Sequence, residues 1–425
     1  MPIRTIEPLE TRFRHAQSPA ILHPSIQSYE WWYFEVEFED EDGKAWRVIT
    51  SFHFPHGMDP RRLLAHQRYR AGGRDYYRAF GDDPARYAGI ASYVVDVERS
   101  KNIALLISRF QDFAIPGRVS VSRPGDPRVD LRFGDCSFVE NPDGSYTLHV
   151  DQTGIFYRPG QANRLLTLDM RVKFEQHTPG FQPIDGELLK QGGKEHSWAC
   201  VMPNPKITIE SVEVKRGRRR GGMETLCRGR AGAKALSGYH DHQWGDDLIY
   251  KQIREWSWGR VVEGGRGAAL PSDKVLFFDI TGASSPGQPG ARPDPVLVGV
   301  PGDGSPVEQL ETTPNMTPVE YSTQRRIDFG DGCQLGITGQ RVPYFGNLKL
   351  RCQTAAAKTR NFNIAHRISN SVDVWPFYLR FIPRVVDFYT GKEFVGISEY
   401  MRSDRLASPS TQKILALSDK MTYII

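Results

Sequence analysis

Short segments in which apolar and polar residues alternate are the feature that most constrains the fold of this chain. They recur along the whole length, at Trp31 to Phe38, Trp46 to Phe54, Ile103 to Ile107, Tyr146 to Val150, Leu165 to Phe174, Ile207 to Val214, Val275 to Ile280 and Phe394 to Met401. Turn pairs such as Asp42-Gly43 and Asp143-Gly144 separate many of them. Alternation with a period of two is typical of strands, and Asp-Gly pairs are typical of hairpins. The pattern therefore predicts an all-β protein.

Helical periodicity is confined to two places, a C-terminal segment at Pro409 to Met421 and a weaker one at Arg61 to Ala71. A chain of 425 residues is too long for one ordinary core, so two domains are expected. The Pro-rich break at Pro203-Asn204-Pro205 separates two strand-rich halves of similar length. We predict domains at residues 1–205 and 206–425, each an antiparallel barrel or sandwich, with a short C-terminal helix.

Several functional classes lack support in the composition and motifs. The net charge of +5 is small for the length and implies no general affinity for nucleic acid or membrane, and no apolar run approaches a membrane helix. Five dispersed cysteines without C-x-x-C spacing, and no apolar leader at the N-terminus, favour a cytoplasmic protein. No nucleophile elbow, phosphate-binding loop, zinc motif or dinucleotide fingerprint is present. We expect no cofactor and no metal, which leaves acid/base or purely templating chemistry.

The first candidate for chemistry is a carboxylate at the start of an aromatic strand. Alternation places Glu30 on the same face as Trp32 and Phe34, and we assign that face to the interior. An inward carboxylate is costly unless it is paired, and burial should raise its pKa. Two interpretations remain open: Glu30 caps a turn at the strand mouth, or it is an acid of a pocket that Trp32 shapes.

A second candidate is the histidine-rich segment at mid-chain, Gly238 to Gly245. Alternation places His240, His242 and Trp244 on one face and Tyr239 on the other. Two histidines two positions apart on a strand can share a metal, but no third ligand is recognisable nearby. A hydrogen-bonded structural cluster and a proton-handling pocket are the other interpretations.

Two further strands carry inward carboxylates. Asp279 shares a face with Val275 and Phe277, where a carboxylic acid can stay protonated near neutral pH, as a general acid requires. Glu399 shares its face with Ile397 and other apolar residues and is a weaker candidate of the same kind. The alternative for both is a partnered structural side chain.

Two motifs in this order resemble a known superfamily. Glu30-Trp31-Trp32-Tyr33-Phe34, followed about 200 residues later by Tyr239-His240-Asp241-His242-Gln243-Trp244-Gly245, is similar to the carotenoid 1,2-hydratase-like (hydroxyneurosporene synthase) and AttH-like lipocalin superfamily. The resemblance implies two lipocalin-like β-barrels with a pocket in or between them. It also implies activities such as alkene hydration and cofactor-free cyclisation, including Diels–Alder reactions. By similarity His242, Trp244 and Asp279 match positions implicated in catalysis, with Asp279 as the proton donor, although Phe277 stands where the hydratases have Tyr.

These inferences combine into one functional hypothesis. We expect a cofactor-independent cyclase of natural-product biosynthesis that folds a hydrophobic, polyene-like or polyketide-like small molecule for intramolecular cyclisation. The catalytic set is Glu30, His242 and Asp279, and the substrate-binding set is Trp32, Trp244, Tyr239, His240, Phe277 and Glu399. The alternatives are a hydratase of an isolated alkene and a lipocalin-like lipid carrier without chemistry. We further expect Glu30, Trp32, His242, Trp244 and Asp279 to border one cavity; a homodimer stays open.

Overall fold

The computed structural model describes most of the chain in separate ranges. These are residues 2–6, 28–54, 88–99, 101–109, 119–120, 128–156, 164–184, 187–191, 194–218, 221–263, 273–284, 290–291, 293–310, 319–322, 346–353, 359–367, 370–374, 377–387, 389–409 and 411–413. The predicted helix at Arg61 to Ala71 lies outside these ranges. Of the predicted helix at Pro409 to Met421, residues 409 and 411–413 are helical, and residues 410 and 414–421 lie outside the described ranges.

Strands dominate the described residues and are numbered along the chain. The first sixteen are β1 Ile3–Ile6, β2 Tyr29–Glu39, β3 Ala45–His53, β4 Gly89–Asp96, β5 Lys101–Arg109, β6 Val119–Ser120, β7 Asp130–Phe133, β8 Cys136–Glu140, β9 Tyr146–Phe156, β10 Arg164–Glu175, β11 Gly180–Pro183, β12 Glu187–Gln191, β13 Lys194–Met202, β14 Lys206–Gly217, β15 Met223–Gly229 and β16 Ala235–Gly245. The others are β17 Ile253–Val262, β18 Lys274–Gly282, β19 Val296–Val300, β20 Glu308–Gln309, β21 Val319–Ser322, β22 Gly346–Gln353, β23 Thr359–His366, β24 Ser371–Val374, β25 Tyr378–Phe381, β26 Arg384–Asp387 and β27 Glu393–Met401. A single helical turn, α1 (Ile249–Gln252), and a 3-10 helix (Ser403–Ala407) accompany them. All eight strands named in the sequence analysis are confirmed.

The strands form three antiparallel sheets among the described residues. The first sheet has the order β1-β11-β13-β16-β2-β3-β4-β5, with β12 beside β13. The second runs β15-β14-β10-β9-β8-β7-β6. The third runs β20-β19-β18-β17-β27-β26-β23-β22-β21, with β24 and β25 attached beside β27. The predicted all-β, lipocalin-like architecture of curled antiparallel sheets is confirmed.

Sheet membership changes after β16. Strands β14, β15 and β16 all follow residue 205, yet they pair with strands of the first and second sheets. Strand β17 is the first member of the third sheet. The Pro-rich segment at Pro203-Asn204-Pro205 is therefore a turn within the N-terminal half. The division at 205 and 206, taken as a boundary of folding units, stays a prediction.

Three apolar cores lie on successive sides of these sheets. The first core fills the space between the first and second sheets and contains Trp32, Phe34 and Trp244. The second lies between the first and third sheets, with Trp31 and Tyr33 of β2 facing Trp258 of β17; we call this layer of side chains the interlayer. The third core is enclosed by the third sheet alone and contains Val275, Phe277 and Leu350. The first sheet is thus buried on both faces.

Strand β2 shows why the sequence folds this way. Its even-numbered face was assigned to the interior, and this is confirmed: Trp32, Phe34 and Val36 are fully buried in the first core. Its odd-numbered face is also buried, because Trp31 and Tyr33 pack against the third sheet. A strand with aromatic residues on both faces is typical of a central layer rather than a surface sheet.

Candidate functional site

Four of the predicted site residues meet in the first core. Antiparallel pairing sets His242 opposite Trp32 and Trp244 opposite Glu30, so all four side chains share one face. His242 Nε2 lies 2.6 Å from Glu30 Oε1, and both side chains are fully buried. The Trp32 ring stacks on His242 with centroids 5.1 Å apart, and Trp244 lies 4.7 Å away on the same imidazole. We call the two polar members the Glu30–His242 pair.

Asp279 does not join this group, which corrects the expectation of one shared cavity. It lies on β18 of the third sheet, opposite Ser257, and is half-buried. Val275 and Phe277, on its own face, belong to the third core. The first sheet, the interlayer and the third sheet therefore separate Asp279 from the Glu30–His242 pair. Alternation along β18 correctly grouped Asp279 with Val275 and Phe277, but this face does not meet the face that carries Glu30 and His242.

The other predicted residues are divided among the cores. His240 lies in the first core, where it stacks on Phe34 at 4.2 Å and its Nδ1 is 3.0 Å from the carbonyl oxygen of Tyr33. Burial lowers the pKa of His240 to about 3, so the ring is neutral at pH values near 7. Phe277 lies in the third core. Tyr239 and Glu399 face the interlayer.

The interlayer is lined by aromatic rings from both sheets. Tyr33 packs edge-on against Trp258 with ring centroids 5.7 Å apart, and Tyr239 lies 5.4 Å from the same indole. Trp31 and Trp256 stack nearby at 6.4 Å. The exposed fraction is 8% for Trp31 and 6% for Trp256, whereas Trp32, on the opposite face of β2, is fully buried. Solvent therefore reaches the interlayer at this edge.

Asp241 is the most distinctive group of the interlayer. Its Oδ2 accepts hydrogen bonds from Tyr239 Oη at 2.8 Å and from Trp198 Nε1 at 3.1 Å. Burial raises the pKa of Asp241 to about 7, even though these two hydrogen bonds lower it, and the Glu399 carboxylate adds to the rise. A substantial fraction of the carboxyl group is therefore protonated at neutral pH. Asp241 was not among the candidate residues predicted from the sequence.

A network of buried charges lies at one side of the same layer. Glu35 Oε1 accepts from Arg47 Nε at 2.9 Å and from Arg260 Nη2 at 2.5 Å, and all three side chains are fully buried. Arg47 also pairs with Glu37. Burial alone would raise the pKa of Glu35, but Arg260 and Arg47 lower it below the ordinary value. Because Arg260 comes from the third sheet and Arg47 from the first, the network joins the two sheets.

Lys274 completes this charged end of the interlayer. Its ammonium group donates to the carbonyl oxygens of Gly238 at 2.8 Å and Pro203 at 3.1 Å. Burial and the neighbouring Arg260 cation lower the pKa of Lys274 well below its ordinary value.

Sequence reasoning missed most of the interlayer for one reason. Only the Trp32 face of β2 was assigned to the interior, and Tyr33, Glu35 and Asp241 were given no role. The signal that could have revealed them is the pair Trp31 and Tyr33, two large aromatic residues on the face of β2 that was not assigned to the interior. Among the described residues, no three side chains are grouped so that they could hold a metal ion. In the same part of the chain, no helix has the length and apolar character needed to cross a membrane.

The fold places this chain among proteins built of curled, antiparallel, lipocalin-like β-sheets. Among solved structures, CghA with Sch210972 matches with a TM-score of 0.52 at 12% identity, over 89% of this chain and 89% of that one. Kievitone hydratase from Nectria haematococca matches with a TM-score of 0.45 at 10% identity, over 94% of this chain and 93% of that one. The predicted resemblance to the hydroxyneurosporene-synthase-like and AttH-like lipocalin superfamily is confirmed at the level of the fold.

Comparison of sequences gives one distant relative of similar length. Hydroxyneurosporene dehydrogenase of Chlorobaculum tepidum is 21% identical over 394 residues, which is 90% of this chain and 84% of that protein. No protein-family model matches the chain.

Proposed function

We propose that this protein is a cofactor-independent enzyme that binds a hydrophobic, polyene-like molecule in the interlayer and promotes its intramolecular cyclisation. In its most specific form the reaction is of the Diels–Alder type. The single observation that carries the proposal is the Asp241 carboxyl group, buried among aromatic rings with a pKa raised to about 7. A carboxylic acid that stays neutral near pH 7 can donate a hydrogen bond or a proton, which an ordinary aspartate cannot do.

The surroundings of Asp241 fit an acid that acts on an unsaturated substrate. Tyr239 and Trp198 both donate to Oδ2, so they fix the carboxyl group and stabilise the conjugate base after proton transfer. A hydrogen bond from the acid to a substrate carbonyl withdraws electrons from the conjugated alkene. The rings of Tyr33, Tyr239 and Trp258 provide a rigid apolar wall that holds reacting ends together and lowers the entropic part of the barrier.

Hydration of an isolated alkene is the second candidate function. It is supported by the same buried Asp241 carboxyl group, because an acid with a pKa near 7 can protonate an alkene. In that reaction Asp241 protonates the alkene, water attacks the resulting cation, and the water's surplus proton returns to the carboxylate, so one water molecule is added overall.

The Glu30–His242 pair, with Trp32 and Trp244 around it, is the second candidate location for acid/base chemistry.

The test is to incubate the protein with a linear trienone and, separately, with an acyclic carotenoid, and to analyse the products by mass spectrometry. Cyclisation yields a product of unchanged mass, and hydration adds the mass of one water. D241N should abolish either product, whereas D279N should retain it because Asp279 faces a different core. Tight binding of both probes with no product from either would favour a carrier and overturn the enzymatic proposal.

A further inference from the structure

Two buried N–H donors of the interlayer have no acceptor among the residues that the structure describes. They are Nη1 of Arg380 on β25 and Nε1 of Trp258 on β17. The Arg380 guanidinium uses another nitrogen, Nε, to donate to Glu399 Oε1 at 2.8 Å. A buried donor without an acceptor costs free energy comparable to a lost hydrogen bond, and a charged donor costs more. Such groups in a folded protein therefore call for an explanation.

The two donors lie around one aromatic ring. Arg380 pairs with Glu399 on β27, and Glu399 pairs with Trp258 on β17, so the three residues form a row across adjacent strands. The Tyr33 ring, from the first sheet, lies 5.7 Å from the Arg380 guanidinium carbon and 5.7 Å from the Trp258 ring. Tyr93 and Tyr378 also contact the guanidinium, at 4.5 Å and 5.3 Å. The donors are thus presented from one wall of the interlayer, beside the aromatic rings assigned to the substrate.

The charges around this wall are compatible with an additional anion. Three arginines of the interlayer (Arg47, Arg260 and Arg380) face three glutamates (Glu35, Glu37 and Glu399). Asp241 adds little negative charge below its pKa of about 7. Because Glu399 occupies only one nitrogen of Arg380, the guanidinium keeps capacity for a second oxygen anion.

We propose that Arg380 and Trp258 together bind an oxygen anion of the substrate, the carboxylate or enolate at the polar end of an otherwise hydrophobic polyene. Guanidinium groups favour planar, delocalised oxygen anions, and the indole N–H supplies a second donor that carries no charge. The inference rests on the proposed binding of a polyene in the interlayer. It adds that the natural substrate carries an acidic oxygen function, which orients the chain relative to Asp241.

Binding of a fluorescent polyene acid tests this directly. We would titrate the protein with parinaric acid and with its methyl ester at about pH 6, where the free acid is ionised and Asp241 is largely neutral. The wild type should bind the acid about tenfold more tightly than the ester, the value expected for one charge-assisted hydrogen bond. W258F, which removes the N–H and keeps a smaller ring, should lower the affinity for the acid severalfold more than it lowers the affinity for the ester, so the preference for the acid shrinks.

Two further variants keep the test decisive. R380Q/E399Q removes the guanidinium without leaving Glu399 as an unpaired buried carboxylate, and it should abolish the preference for the acid. W256F makes the same ring change two residues away, at an indole that is not among the donors without an acceptor, and should keep the wild-type preference. Equal binding of acid and ester by the wild type, or an unchanged preference in both W258F and R380Q/E399Q, would overturn the anion site alone. Failure to bind either probe would contradict the polyene site as well.

Discussion

Asp241 and His242 are consecutive residues whose side chains point into different cores of the protein. His242 meets Glu30 in the first core, and Asp241 meets Tyr239 and Trp198 in the interlayer. This opposition follows from strand alternation, because β16 is a central strand with both faces buried. Two acid/base groups are therefore available from one short segment, and variants can separate them.

The first prediction concerns which face carries the chemistry. D241N should lower turnover by about a hundredfold or more, because it replaces the acidic proton with a much weaker amide donor and keeps the shape. H242Q, on the opposite face, should change turnover less than about threefold while altering stability. Product formation by the two purified variants under identical conditions measures the difference. The reverse pattern would move the site to the Glu30–His242 pair.

The second prediction concerns stability and the raised pKa of Asp241. Between the unfolded value of about 3.9 and the folded value of about 7, the folded state holds a proton that the unfolded state has lost. This contribution therefore decreases as pH rises through that window, by about 1.4 kcal/mol per pH unit. The free energy of unfolding of D241N, measured against wild type by denaturant titration, should lack this decrease. Parallel pH profiles for the two proteins would show that Asp241 is not protonated in the folded state.

The third prediction concerns buried neutral histidines. Burial lowers the pKa of His196, His240 and His366 to about 3 each, so below about pH 6.5 the unfolded state binds protons that the folded state does not. Each should make stability fall with falling pH, opposite in sign to Asp241. H240Q should reduce the slope of unfolding free energy between about pH 4 and 6 by about 1.4 kcal/mol per pH unit. An unchanged slope would mean that His240 is protonated when folded.

The fourth prediction concerns the ion network that joins the first and third sheets. E35Q leaves the buried cations of Arg47 and Arg260 without their shared carboxylate and should cost about 3–5 kcal/mol of unfolding free energy. E39Q lies on the same strand and breaks only the partly exposed pair of Glu39 with Lys234, so it should cost less than about 1 kcal/mol. Chemical unfolding of both variants gives the comparison. Similar losses of unfolding free energy in E35Q and E39Q would show that the buried network stabilises the fold no more than an exposed ion pair does.

Local pattern predicted a large part of this molecule. The period-two alternation of β2 and β16 correctly grouped Glu30 and Trp32 on one face and His242 and Trp244 on another, and antiparallel pairing then brought these faces together. Alternation assigns a residue to a face of its own strand, and nothing more. It does not say which sheet that face meets, and for that reason Asp279 was expected beside His242 although it faces the third core.

The interlayer depends on contacts that no local pattern encodes. Arg260 meets Glu35 across 225 positions of the chain, and each is unremarkable within its own strand. The raised pKa of Asp241 likewise arises because the third sheet covers it and excludes water, which is a property of the packed sheets rather than of the segment around it. Prediction from one strand at a time therefore finds the first core and only two residues of the interlayer, Tyr239 and Glu399.

The protonation state of Asp241 is the most direct test of the account. Infrared spectra of protein labelled with carbon-13 aspartate, recorded from about pH 5 to 9 and compared with D241N, isolate the carbonyl band of this carboxylic acid. We predict a band of protonated Asp241 at the acidic end that disappears with an apparent pKa of about 7. Spectra of wild type and D241N that show no such band at the acidic end would mean that the carboxyl group is ionised throughout. The proposed acid would then have no proton to give.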